Sequence, residues 1–187
     1  MIKAAFLDRD GVINRDTGYV YRAEDLELLP GALDGLRILQ QAGYLLVVVT
    51  NQAGIARGLY TAADYETFTA ALRAILEGQG VQLAAVYSCP HLESAPCIKY
   101  GISCNCRKPA PGMLLQAIAE HGISPDQSVL IGDRISDIRA GRAAGVARCY
   151  LISSTQSETL RPPEADASFK SLEDCARFLR TLDSNFY

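Results

Sequence analysis

Two aspartates near the start of the chain have the spacing of reactive carboxylates. Asp8 and Asp10 directly follow a short apolar run, residues 2–7, that is typical of a β-strand. Side chains two residues apart on an extended backbone project to the same side. Two carboxylates so near each other raise each other's pKa unless a cation neutralises them. The pair therefore indicates a metal site that also offers a nucleophile beside an acid–base group.

Further polar residues stand where other strands are expected to end. They are Thr50 after residues 44–49, Lys108 after a long connection, and Asp133 after residues 128–131. Phosphoryl transfer needs cations and hydrogen-bond donors around the transferring oxygens, together with a positioned nucleophile. A third carboxylate, a lysine and a hydroxyl added to the aspartate pair therefore predict phosphoryl transfer.

The elements that must position these residues alternate between strand and helix. Strand-like runs span residues 2–7, 44–49, 81–88, 128–131 and 146–152, and helical patterns span 31–42, 61–78, 111–121, 135–144 and 171–182. Such alternation predicts an α/β fold, a three-layer, doubly wound parallel sheet with helices on both faces. Ligands bind at the carboxyl ends of the strands in such sheets. The polar residues are therefore expected to meet in one site.

Composition sets the class of protein and its expected partners. The chain has 187 residues, and we expect residues 1–187 to form a single domain. A formal net charge of −3 argues against a general nucleic-acid partner. No apolar run approaches the ~18–20 residues that span a bilayer, and no signal peptide is evident. We expect a cytoplasmic monomer with a small-molecule substrate and no membrane partner.

A second group of metal-ligating side chains lies in a loop at about residues 89–106, immediately before Lys108. Its members are Cys89, His91, Cys104 and Cys106. Three thiols and one imidazole match a closed tetrahedral Zn²⁺ site. Four protein ligands leave no open position, so the expected role is structural, holding the neighbouring lysine in place. Cys97 is an alternative ligand, and buried thiols without a metal are the alternative interpretation.

In their order along the chain these motifs resemble those of the haloacid dehalogenase (HAD) superfamily of phosphotransferases. The matching elements are Asp8-x-Asp10-Gly11, Thr50, Lys108, and Gly132-Asp133 with Asp137. The resemblance implies that Asp8 is the nucleophile and that Asp10 is first the acid and then the base. It implies that Thr50 and Lys108 bind the phosphoryl oxygens. It assigns Mg²⁺ to Asp8, Asp133 and the backbone carbonyl of Asp10, with Asp137 supporting Lys108 or its loop.

The zinc-type loop narrows the resemblance to the small zinc-containing phosphatases of this superfamily, which lack a large cap domain. Residues 14–20, 50–58 and 106–113 are similar to the members that act on heptose 1,7-bisphosphate. The resemblance implies that the C7 phosphate is removed to give heptose 1-phosphate, an intermediate toward lipopolysaccharide or another heptose glycoconjugate. It does not decide which anomer at C1 is the preferred substrate. Histidinol phosphate or another small phosphomonoester is the alternative substrate. An idle sugar-phosphate-binding module is disfavoured because binding alone needs no paired aspartates.

The same resemblance implies a set of substrate contacts. They are Asp16, Gly18, Tyr19, Asn51, Gln52, Ala53, Arg107 and Arg134. Ala53 stands where the family often has serine, which leaves a backbone contact at that position. Guanidinium groups bind phosphate oxygens in pairs, so Arg107 and Arg134 are expected to hold the phosphate that is not cleaved. Solvated surface charges are the alternative for both arginines.

Overall fold

The computed structural model describes residues 1–153 and 163–184. The strands are β1 (Ala4–Leu7), β2 (Leu45–Asn51), β3 (Ala85–Cys89), β4 (Val129–Gly132), β5 (Arg148–Ile152) and β6 (Ala167–Phe169). The helices are α1 (Ala32–Gln41), α2 (Ala53–Ala56), α3 (Ala62–Gly78), α4 (Gly112–His121), α5 (Ile135–Ala143) and α6 (Leu172–Ser184). Two short 3₁₀ helices lie at Ala23–Asp25 and Pro125–Gln127.

The six strands form one parallel sheet in the order β3-β2-β1-β4-β5-β6. The chain builds outward from β1 in one direction and then returns to add β4 on its other side. This reversal makes the β1–β4 boundary the switch point at which such sheets open a crevice. Asp8 and Asp133 are the residues that directly follow these two strands.

Alternate residues of the buried strands supply two separate cores, one on each face of the sheet. Leu7 and Val48 belong to the core that includes residues of α1, α3 and α6. Phe6 and Val47 belong to the core that includes residues of α4 and α5. Burial on both faces explains why these strands read as continuous apolar runs. The predicted α/β fold with three layers is confirmed.

Local signals place most helix ends where the sequence predicts them. The Thr61 hydroxyl accepts from the Asp64 amide at 3.1 Å, and the Asp64 carboxylate accepts from the Thr61 amide at 2.8 Å, so a complete capping box begins α3. The Ser171 hydroxyl accepts from the Asp174 amide at 3.1 Å next to the start of α6. Gly122, in the left-handed conformation, follows the last residue of α4.

Three details differ from the sequence-based expectations. The run at residues 81–88 was expected to contain a strand, and β3 (Ala85–Cys89) occupies its second half and extends one residue beyond it. The segment after β2 contains the single helical turn α2, which was not predicted. The short edge strand β6 was not predicted, since three residues carry no usable periodicity. Residues 153–167 are rich in Ser, Thr, Pro and Glu, which predicts a surface loop, and part of this segment lies outside the described residues.

No large cap domain covers the carboxyl edge of the sheet in the described ranges. Between β1 and α1 the chain forms one 3₁₀ turn, and between β2 and α3 it forms only α2. In residues 1–153 and 163–184, no helix has both the length and the apolar character needed to cross a membrane.

Candidate active site

One cavity of about 440 Å³ at the carboxyl edge of the sheet collects the predicted catalytic and substrate-binding residues, whereas the predicted Mg²⁺ ligand Asp133 is not among the residues that line it. Its lining includes all four predicted catalytic residues, Asp8, Asp10, Thr50 and Lys108. It also includes every predicted substrate contact, namely Asp16, Gly18, Tyr19, Asn51, Gln52, Ala53, Arg107 and Arg134. The lining residues that the sequence did not assign to substrate or catalysis are Val20, Tyr60, Ser136 and Asp137. The volume suits a small phosphorylated sugar.

Lys108 lies at the base of the cavity between two carboxylates. Its Nζ is 3.0 Å from Asp8 Oδ1 and 2.7 Å from Asp137 Oδ1, and it donates to the Val49 carbonyl at 2.7 Å. Burial alone would lower the pKa of Lys108, but the charges of Asp8 and Asp137 outweigh it and raise the pKa. The ammonium is therefore fixed in its charged form, and the contact predicted between Asp137 and Lys108 is present.

Asp8, Asp133 and Asp137 form a compact group of carboxylates whose oxygens lie within 4.8 Å of one another. Burial raises the pKa of Asp8 to about 7 despite the opposing Lys108 charge. Burial, reinforced by Asp137, raises the pKa of Asp133 to about 6. Asp133 Oδ1 is buried and has no hydrogen-bond partner among the described residues. An oxygen left unpaired beside other carboxylates fits a divalent cation such as Mg²⁺.

Two glycines allow the carboxylates to approach the backbone. Gly11 has a φ of +86°, and a Cβ built on it would lie 2.8 Å from Asp133 Cγ. A Cβ on Gly132 would lie 2.7 Å from Asp137 Cγ. Both distances are shorter than real Cβ contacts, so side chains at these positions would displace the acidic group. Gly11 therefore makes space for the carboxylate of Asp133, the residue that follows β4.

The Asp10 carboxylate is held apart from the other carboxylates by four donors. Arg9 Nε donates to Oδ1 at 3.0 Å and Arg9 Nη2 donates to Oδ2 at 2.9 Å. Asn14 Nδ2 donates to Oδ1 at 2.9 Å, and Gln52 Nε2 donates to Oδ2 at 3.0 Å. Arg9 and Asn14 were not predicted from the sequence as residues of the site. An arginine between two aspartates was an available signal, but its partner depends on packing that only the fold provides.

Residues after β2 connect the groups of the site. Gln52 Nε2 also donates to the Thr50 hydroxyl at 2.9 Å, and the Tyr60 hydroxyl donates to Gln52 Oε1. The Asn51 amide accepts from the Lys108 backbone N–H and donates to the Lys108 carbonyl, both at 3.1 Å. Asn51 and Gln52 therefore fix Lys108, Thr50 and Asp10. Their predicted contacts with substrate stay predictions.

The rim of the cavity contains charged side chains and a turn at residues 16–18. Arg134 Nη2 pairs with Asp16 Oδ2 at 3.0 Å, which joins the loops after β4 and β1. The other Asp16 oxygen accepts from the Gly18 amide at 2.9 Å and closes a turn. Tyr19 has a φ of +60°, uncommon for a residue with a side chain. Arg107 Nη1 donates to the His91 carbonyl at 3.2 Å, which ties this arginine to the cysteine loop.

The four predicted ligands of the second metal lie together. Cys106 Sγ is 3.0 Å from Cys89 Sγ, 3.3 Å from Cys104 Sγ and 3.3 Å from His91 Nδ1. Cys89 Sγ lies 3.6 Å from Cys104 Sγ and 3.7 Å from His91 Nδ1. Zinc bonds of about 2.3 Å to sulfur separate tetrahedral ligands by roughly 3.7 Å, so an ion would spread the cluster only slightly. Cys97 is not a member of this group.

Comparisons with known proteins agree with this geometry. A family model described as HAD-hydrolase-like matches residues 105–175. The D-glycero-beta-D-manno-heptose-1,7-bisphosphate 7-phosphatase of Haemophilus influenzae is 42% identical over 97% of this chain and 99% of its own length. The D-glycero-alpha-D-manno-heptose-1,7-bisphosphate 7-phosphatase of Photorhabdus laumondii is 42% identical over 87% of this chain and 88% of its own.

A solved structure extends the similarity to the fold. The D,D-heptose 1,7-bisphosphate phosphatase from B. bronchiseptica, complexed with magnesium and phosphate, aligns with a TM-score of 0.83 and 28% identity, over 97% of this chain and 99% of that chain. The similarity in sequence and the similarity in fold each extend over nearly the whole chain. The chain therefore belongs to the heptose-1,7-bisphosphate 7-phosphatase family of the HAD-like hydrolases.

Proposed function

We propose that this protein hydrolyses the C7 phosphate of D-glycero-beta-D-manno-heptose 1,7-bisphosphate and releases heptose 1-phosphate and inorganic phosphate. The observation that carries the proposal is the single cavity in which Asp8, Asp10 and Lys108 face the same space as two arginines. Two of the relatives described above carry names for this reaction, one for each anomer at C1. The product would enter lipopolysaccharide or related heptose glycoconjugate synthesis.

The first step transfers the phosphoryl group to Asp8. One Asp8 oxygen forms a bond to phosphorus while the bond from phosphorus to the C7 oxygen of the sugar breaks, and Asp10 gives its proton to that oxygen. Lys108 already contacts Asp8 at 3.0 Å, so its ammonium is within reach of a phosphoryl group bonded there. The Thr50 hydroxyl, buried in the same cavity, is the second group that would bind phosphoryl oxygens. Covalent catalysis of this kind splits one difficult displacement into two.

The second step restores the enzyme. Asp10, now ionised, takes a proton from a water molecule whose oxygen attacks phosphorus, and the bond between phosphorus and Asp8 breaks. The four donors around Asp10 hold its carboxylate in one position for both proton transfers. The same residue thus serves as the acid and then as the base.

Two metals fit the side chains that the site provides. Asp8, Asp133 and the backbone carbonyl of Asp10 would hold Mg²⁺, with the unpaired Asp133 Oδ1 as the supporting observation. When bound, this ion neutralises the carboxylates and the charge that develops on the phosphoryl oxygens. Cys89, His91, Cys104 and Cys106 would hold a structural Zn²⁺ beside the catalytic lysine.

Selection of a bisphosphate is proposed to come from Arg107 and Arg134. Both line the cavity, on loops that approach it from β3 and β4. Arg134 is paired with Asp16 and is 65% exposed, so the phosphate that is not cleaved can displace a surface ion pair of low energy. A substrate carrying an ammonium in place of that phosphate would be repelled, which disfavours histidinol phosphate.

A substrate panel tests the proposal. Purified protein with Mg²⁺ is incubated with both heptose 1,7-bisphosphate anomers, with histidinol phosphate and with a simple aryl phosphate, and released phosphate is measured. We expect one equivalent from the bisphosphate, fastest with the β anomer, and no turnover by Asp8→Asn. Equal or faster cleavage of histidinol phosphate would refute the assignment of substrate.

Three further properties belong to the proposal. We infer that residues 1–187 form one phosphatase domain, supported by the single sheet that contains every described strand. We infer a cytoplasmic location, supported by a cluster whose thiols must stay reduced to bind metal. We infer a monomer that binds no nucleic acid, which size-exclusion chromatography with light scattering and a filter-binding assay would test.

A further inference from the structure

Arg9 is buried more completely than a charged side chain ordinarily is. It is 1% exposed and heads the set of largest fully buried side chains. Its guanidinium carbon lies 4.4 Å from the centre of the Phe68 ring and 5.6 Å from that of Tyr65. Both rings belong to α3, so the helix that follows Thr50 along the chain packs against a residue of the Asp8-x-Asp10-Gly11 motif. Stacking on aromatic faces is a favourable environment for a guanidinium removed from water.

The two shortest hydrogen bonds from the Arg9 guanidinium go to the Asp10 carboxylate. Nε and Nη2 bind the two oxygens of Asp10 at 3.0 and 2.9 Å, and Nη2 also reaches the Val20 carbonyl at 3.4 Å. Nη1 is buried without a partner in the described part of the chain. Leaving a buried donor unpaired is costly. An apolar side chain would fill the same space without leaving a buried donor unpaired, so packing alone does not explain an arginine here.

We propose that Arg9 is a positioning residue for the reaction: its two-pronged contact holds the Asp10 carboxylate where it exchanges protons with the leaving oxygen and the attacking water. This inference rests on the proposed phosphatase function. Asn14 and Gln52 each bind one Asp10 oxygen, whereas Arg9 binds both and supplies the opposing charge. A bidentate contact restricts rotation of the carboxylate, which a single bond does not.

The first test removes the guanidinium fork and keeps the apolar stem. Arg9→Met should lower kcat for the heptose bisphosphate by roughly 10- to 100-fold, part of the 10²- to 10⁴-fold that acid–base catalysis supplies. KM should stay within about threefold, because Arg9 does not line the cavity. Arg9→Lys keeps the charge but not the fork, so its kcat should lie between those of the wild type and Arg9→Met.

The decisive measurement is a double-mutant cycle with Asp10→Asn, in single turnovers with enzyme in excess. If Arg9 acts through Asp10, Arg9→Met should reduce the rate of the Asp10→Asn enzyme by less than about threefold. Equal losses in both backgrounds would overturn the inference, as would unchanged kcat in Arg9→Met. Should Arg9→Met fail to fold, the same cycle is run with Arg9→Lys.

A matched variant separates positioning from loss of stability. Leu72→Ala opens a cavity on the same helix, where Leu72 is fully buried in the core. It should lower the melting temperature while leaving kcat within about twofold of the wild type at a temperature where it is folded. Turnover by the wild type is measured first. Its absence would refute the proposed function, whereas wild-type turnover with an unaffected Arg9→Met would refute only the role of Arg9.

Discussion

Gly11 offers the sharpest test of how the backbone makes space for the Mg²⁺ carboxylates. Its φ of +86° is in the left-handed region, where a Cβ costs about 1–2 kcal/mol. A Cβ on this residue would also stand 2.8 Å from Asp133 Cγ, so Gly11→Ala must push the carboxylate away. The backbone strain affects only the stability of the fold, whereas displacement of the Asp133 carboxylate also weakens the binding of Mg²⁺. We expect Mg²⁺ affinity at least tenfold weaker, with a matching loss of activity at limiting Mg²⁺.

Gly80→Ala is the matched control for backbone strain. Gly80 has a φ of +78°, and apart from its chain neighbours no described residue has an atom within 4 Å of a Cβ built there. It should share the loss of roughly 1–2 kcal/mol, a melting temperature lower by about 2–8 °C, and keep wild-type Mg²⁺ affinity. Affinity is measured by calorimetric titration and by the Mg²⁺-dependent shift in melting temperature. Equal Mg²⁺ affinity in the two variants would refute the steric argument.

Three other perturbations have expected outcomes. Asp137→Asn should lower the free energy of unfolding, measured in urea, by about 3 kcal/mol, and it should also lower kcat. This loss is at the low end for a broken buried ion pair because Lys108 still pairs with Asp8. Mg²⁺ should bind up to tenfold more weakly for each pH unit below about 7, because it must displace the proton that the raised pKa of Asp8 retains; calorimetry at pH 5.5, 6.5 and 7.5 measures this. Cys106→Ala, or treatment with a chelator of the metal proposed at this cluster, should lower the melting temperature by several degrees and raise KM for the bisphosphate, because Arg107 is bound to the cysteine loop.

Each of these outcomes has a control that the chain itself provides. Asp34→Asn removes an exposed pair with Arg37 and should change the free energy of unfolding by less than about 0.5 kcal/mol. Similar losses in both aspartate variants would contradict the role of the buried pair. Mg²⁺ affinity independent of pH between 5.5 and 7.5 would contradict the raised pKa of Asp8. Cys97→Ala should behave as the wild type, and a metal content lower than that of the wild type in this variant would contradict the proposed ligand set.

The sequence predicted the fold and the meeting of the catalytic groups well because both depend on local patterns, whereas the substrate-side lining was predicted from the family resemblance. Apolar runs with polar residues at their ends imply strands whose carboxyl ends carry chemistry, and parallel pairing gathers those ends at one edge. Asp8, Thr50 and Lys108 therefore meet as expected. The alternating elements also set the three-layer architecture, since a strand buried on both faces needs helices on each side.

The structure revealed the partners of these residues, which no short-range pattern encodes. No sequence pattern indicated that α3 places Phe68 and Tyr65 against Arg9. The amide of Asn51, whose contact with substrate stays a prediction, also holds the Lys108 backbone across a separation of 57 residues. Such contacts depend on how two distant segments pack, which is decided by the sum of many weak interactions.

The amino-acid sequence by itself determined which chemical groups this protein carries and at which edge of a sheet they gather, because strand periodicity and residue type are local properties. Only the tertiary structure decided how each group is held. Lys108 lies between Asp8 and Asp137 and Arg9 is paired with Asp10 because burial removes water and leaves buried charges to pair with one another. Orientation and electrostatics within the site therefore come from packing, whereas its composition comes from the sequence.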